Sequence, residues 1–70
     1  MTLNFIFLLP VTPPAQFNQF EVSYTQSSGV PIPVVGDTVG QAGTGHGYVV
    51  RARTFTYNGP DELTIYFACD

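Results

Sequence analysis

The sequence predicts an all-β fold: a small, partly open antiparallel barrel of about five strands, with residues 1–70 forming one domain. Three observations predict it. No stretch carries the apolar period of a helix. Six prolines and seven glycines interrupt the chain too often for a long helix. The segments between them alternate apolar and polar residues in short runs bounded by turn residues, the pattern of strands.

The first strand is expected at about Thr2–Leu9. Leu3, Phe5, Phe7 and Leu9 fall on one face, Ile6 and Leu8 on the other, which suits a central strand or a subunit interface. Pro10, Pro13 and Pro14 end it. In the second, about Phe17–Thr25, Phe20, Val22 and Tyr24 alternate with Gln19, Glu21 and Ser23, as in a half-buried strand. Val30–Val35 carries Pro31 and Pro33, so it should be extended without full ladder pairing. Gly36-Asp37 reads as a tight turn into a short strand, Thr38–Gly40. The glycine-dense stretch Gly40–Gly47 reads as a mobile loop.

The fourth and longest strand is expected at about Tyr48–Tyr57. Its apolar residues change face near Arg51–Arg53, which suggests a bulge or a barrel bend there. Asn58-Gly59, within Asn58–Glu62, signals a hairpin. It leads into Leu63–Cys69, where Leu63, Ile65, Phe67 and Cys69 share a face.

The run Val34-Val35-Gly36-Asp37-Thr38-Val39, a glycine turn, Tyr48–Tyr57 and then Leu63-Thr64-Ile65-Tyr66-Phe67 resembles SH3-like small barrels. It is similar to short bacterial and bacteriophage proteins of unknown function that share the valine–glycine–aspartate lead-in and a terminal hairpin. The resemblance covers roughly the second half of the chain. It implies an SH3-like barrel and a phage or mobile-element setting, and it implies no activity.

Size sharpens the functional question. A domain this small buries only about 60% of the surface of its unfolded chain. One cysteine permits no intrachain disulfide, and no Cys/His cluster offers a metal staple. Packing and self-association remain, so a homo-oligomer is expected. There is no lysine, and the net charge is −3; a chain with two cations lacks the phosphate contacts that nucleic-acid binding requires. The Leu3–Leu9 run has no positive flank and is shorter than the roughly 18 residues that span a bilayer. It reads as a strand rather than an export signal. The expected compartment is the cytoplasm, that of the host if the chain is phage-encoded, with no membrane partner.

The residues that could carry chemistry are few. His46, the single histidine, lies in the glycine loop, a poor platform for positioning a general base; a solvated or ligand-touching role is the plainer reading. The loop lacks the following helix and the lysine of a phosphate-binding motif. It reads as a flap or, more plainly, a connector. Arg51 and Arg53 should project from one strand face about 6–7 Å apart. There they could grip a carboxylate or phosphate, or pair with Glu21, Asp61 or Glu62. Tyr48, Tyr57 and Tyr66 are the tyrosines expected at a binding surface, because ten aromatics exceed what one such core buries easily. Cys69 reads as an inert core thiol.

No catalytic constellation, cofactor or metal site emerges, and the chain is not expected to be an enzyme. The leading expectation is a protein-interaction module, an inhibitor or adaptor acting by occlusion of a host protein. The alternative is an oligomeric binder of a nucleotide or other anionic metabolite, using the arginines and the glycine loop.

Overall fold

Each strand forms where apolar residues alternate and stops where turn residues intervene. The computed structural model describes residues 1–10, 19–25, 29–40 and 47–70. Among them lie β1 (Thr2–Leu8), β2 (Gln19–Tyr24), β3 (Thr38–Val39), β4 (Tyr48–Gly59) and β5 (Glu62–Cys69), with no helix. The strands form one sheet in the order β2-β1-β5-β4-β3, curled into a half-barrel of the small SH3-like open kind. One pairing departs from the expected antiparallel arrangement: β1 and β5 run parallel, Leu3 beside Leu63 and Phe7 beside Phe67. β2 and β4 are antiparallel to their inner neighbours. With β2 and β4 running one way, β1 and β5 between them must share the opposite direction.

The registers stack the side chains into rows across the concave face. Val22, Phe5, Ile65 and Phe55 form one row, and Phe20, Phe7, Phe67 and Arg53 the next. Burial is greatest in the middle of these rows: Ile65 and Phe67 have no exposed surface, and Leu3, Phe5, Phe7, Val50, Leu63 and Cys69 complete the core. Phe67 stacks on Phe7 at 4.7 Å and meets Phe5 edge-on at 5.3 Å, the offset and T-shaped geometries aromatic rings prefer. β1 is therefore central, but only its concave face is fully covered; Leu8 on the other face is exposed.

The convex face is tied together by polar groups instead. Ser23 Oγ donates to Asn4 Oδ1 at 2.9 Å, and Asn4 Nδ2 donates to Glu62 Oε2 at 3.1 Å and to Thr64 Oγ1 at 3.3 Å. Asn58 Nδ2 donates to the same Thr64 oxygen at 2.8 Å. This chain links β2, β1, β5 and the end of β4, which satisfies Thr64 in its buried position.

The register of β4 against β5 shifts between Val50 and Ala52 and again between Tyr57 and Gly59. The first shift is the bulge expected near Arg51–Arg53. It moves Val50 onto the core face with Cys69 and, one step later, Arg53, Phe55 and Tyr57 onto that same face. The second shift corrects the expected hairpin. Asn58-Gly59 is not the turn itself: Gly59 pairs with Glu62, and the chain reverses at Pro60-Asp61. Pro60 supplies the fixed φ for the turn, and Gly59, at φ +148°, supplies the unusual backbone before it.

β2 and β3 are opposite edges of the sheet, so the chain between them has to cross one face. Val30–Val35 makes that crossing on the concave side, with Val30 packed against the core. A strap outside the ladder does not need the N–H groups that Pro31 and Pro33 lack. It ends in the expected turn, where Asp37 N donates to Val34 O at 3.0 Å and Asp37 Oδ2 accepts from Val34 N at 2.8 Å. Gly36 takes the third position at φ +100°, where a type II turn requires positive φ. Gly36 N donates to Val50 O and Val50 N to Asp37 O, both at 2.9 Å, which docks the turn on β4.

Candidate functional site

Curling brings the inward residues of β2 to the same hollow as the end of β3. Phe5 and Phe7 form its floor, Phe20, Val22 and Tyr24 one wall, Val39 and Gly40 the other, and Pro31 and Pro33 of the strap complete it. The open groove holds about 280 Å³. Its floor is held by ring packing: Phe7 stacks on Phe20 at 4.6 Å, and Phe5 meets Tyr24 edge-on at 5.4 Å. Among the described residues, no charged side chain lines it, and the Tyr24 hydroxyl is the one side-chain polar group. Such a hollow offers van der Waals contact and burial to an apolar group.

A second apolar surface lies farther along the concave side of β4. Phe55 and Tyr57 belong to the rows that build the core, yet they are 43% and 72% exposed. β3 pairs only with Tyr48 and Val49, so among the described residues no strand lies alongside the far part of β4. Arg53 joins this surface to the strap: Nη1 donates to Pro33 O at 3.3 Å, and the guanidinium sits 5.2 Å from the Phe55 ring centroid. Ile32, Val34 and Val35 of the strap are also exposed.

Among the described residues, the structure does not gather those expected to bind. The bulge breaks the alternation that would have put Arg51 and Arg53 side by side. Arg51 Nε instead reaches Asp70 Oδ1 at 3.2 Å in an exposed ion pair, a partner other than the expected Glu21, Asp61 or Glu62. Tyr48 packs against the core beside β3, Tyr57 stands on the concave side of the hairpin, and Tyr66 lies at the surface of the convex face. His46 and residues 41–46 of the glycine loop fall outside the described residues. Cys69 is 4% exposed, as expected of a core thiol. Burial, and then the Asp70 carboxylate beside it, raise its pKa and so disfavour the reactive thiolate.

Sequence reasoning missed the groove because it forms between β2, the end of β3 and a strap that is not a strand. One signal pointed there: an apolar segment with two prolines cannot join a central ladder, so its apolar side chains had to cover a sheet face. Among the described residues, no group of three or more His, Cys, Asp or Glu could hold a metal ion, and no helix is long and apolar enough to cross a membrane.

Comparison with known proteins supplies no relative: no family model, no curated protein and no solved structure matches the chain.

Proposed function

We propose that this chain is a non-catalytic protein-interaction module whose concave groove receives an apolar side chain of its partner. The groove carries this reading. Its volume is about 280 Å³, at the small end of the roughly 300–1,000 Å³ range of ligand pockets. Among the described residues, its lining lacks the placed polar groups that orient a metabolite. A preorganised aromatic hollow of this size suits an anchoring side chain of a protein, buried at the centre of an interface. The finer reading is an inhibitor or adaptor that occludes a host protein, in the phage or mobile-element setting that the resemblance to short SH3-like bacterial and bacteriophage proteins implies. The anion-binding alternative is weakened by the division of its two arginines between Asp70 and the strap.

Photocrosslinking in the native cell tests the reading. A crosslinking phenylalanine analogue at Tyr24, on the groove wall, is expected to give one dominant protein adduct, and the same analogue at Glu21, on the opposite face, none. Absence of an adduct from Tyr24, or equal adducts from both positions, sinks the proposal.

A further inference from the structure

The far edge of β4 combines two observations that the groove does not use. The ladder is regular from Ala52 to Tyr57, between the two register shifts, and among the described residues nothing pairs with its outer side. Every second residue of such an edge turns its N–H and C=O outward, ready to pair with another strand. On the same stretch the concave rows end in Phe55 and Tyr57, large rings left open to water.

We propose that a second copy of this chain pairs with this edge, β4 to β4 and antiparallel, about a two-fold axis at Phe55. This rests on the reading of the chain as an interaction module and gives a different surface of it a partner. The stretch is complementary to itself in that register. Residues directly opposite each other in an antiparallel pair share a face. Phe55 meets Phe55 of the second copy, Thr54 meets Thr56, and Arg53 meets Tyr57. Aromatic pairs and Thr–Thr pairs are favourable cross-strand neighbours, and a guanidinium over a tyrosine ring is attractive.

Charge selects the register. Centring the axis on Arg53 would set the two guanidinium groups opposite each other. The Phe55-centred register avoids this and uses only the regular stretch between the bulges.

Edges are commonly blunted by lysine, proline or an inward charge. Ala52–Tyr57 has no lysine and no proline, and its one charge, Arg53, is already held by Pro33 O and the Phe55 ring. An interface that uses the same edge on both copies closes at two.

Paired charge variants at the exposed convex positions test the proposal. Sedimentation equilibrium of the wild-type chain is expected to show a reversible dimer. Thr54→Lys with Thr56→Lys, and separately Thr54→Glu with Thr56→Glu, place like charges opposite each other twice. Each should weaken dimerisation roughly 2- to 30-fold. An equimolar mixture of the two variants should form the mixed dimer, a result that misfolding of either variant would not give. Contacts between Arg53 of a labelled copy and Tyr57 of an unlabelled one, read by isotope-filtered NMR, fix the register. A wild-type chain that stays monomeric at the highest concentration reached, or a dimer indifferent to both charge pairs, overturns the proposal. The groove reading is judged separately, by the Tyr24 crosslink.

Discussion

Arg51 and Arg53 stand two residues apart and carry the same charge, yet their surroundings give them different weights. The Arg51–Asp70 pair is exposed on both sides, at 64% and 68%, where water and salt screen the attraction and ordering two side chains offsets most of the rest. Arg53 is half-buried, donates to the Pro33 carbonyl and lies against Phe55. Its loss removes a charged hydrogen bond, a cation–π contact and the covering of apolar surface by its aliphatic stem. Arg53→Ala is expected to destabilise the fold by about 1–2 kcal/mol, and Arg51→Ala by no more than about 0.5 kcal/mol. Urea unfolding of the two variants checks the difference. Equal losses would mean that the strap does not depend on Arg53. The two residues look equivalent in the sequence because strand alternation is assumed there, and a single bulge residue cancels it.

Among the elements, the strap depends on one backbone conformation. The turn that ends it requires Gly36 at φ +100°, where a β-carbon is strained. Nothing lies within 4 Å of where that carbon would sit, so the penalty is backbone strain and not a clash. Gly36→Ala should therefore cost about 1–3 kcal/mol. Gly36→Asn should recover part of the loss, since asparagine tolerates positive φ better. Thermal unfolding of both variants measures this, and an alanine variant as stable as the wild type would show that the turn can adopt another form. The turn was legible in Gly36-Asp37 because its chemistry is local. The landing place of the strap was not, because it depends on β2 and β3 being opposite edges. Asn58-Gly59 marks the same limit: the dipeptide located the hairpin correctly, while Pro60, with its fixed φ, decided which residues make the turn.

At the scale of the whole molecule, the parallel pair of β1 and β5 joins the first strand to the last. Asn4 and Thr64, 60 residues apart, are hydrogen-bonded across it. The core has no local substitute for this pairing, since Leu3, Phe5 and Phe7 meet Leu63, Ile65 and Phe67 only there. Closing so long a loop costs entropy before the buried rings repay it. Refolding is therefore expected on the millisecond-to-second scale of other non-local β folds. Stopped-flow fluorescence of the tyrosines reads it, and a microsecond relaxation would show that the β4–β5 hairpin alone carries the folding barrier.

The sequence by itself determined the strand class, the inward faces of β2 and β5, the bulge near Arg51, the Gly36 turn and the core position of Cys69. Each follows from side-chain period or from the φ limits of single residues, and both are properties of a short stretch of chain. Only the tertiary structure decided that β1 and β5 run parallel, that the proline strap closes a groove over Phe5 and Phe7, and that Arg51 and Arg53 part company. It also decided that Phe55 and Tyr57 stay open at the end of rows that are otherwise buried. These depend on which strand lies next to which, and strand order is set by the burial of all the rows together, which no local pattern encodes.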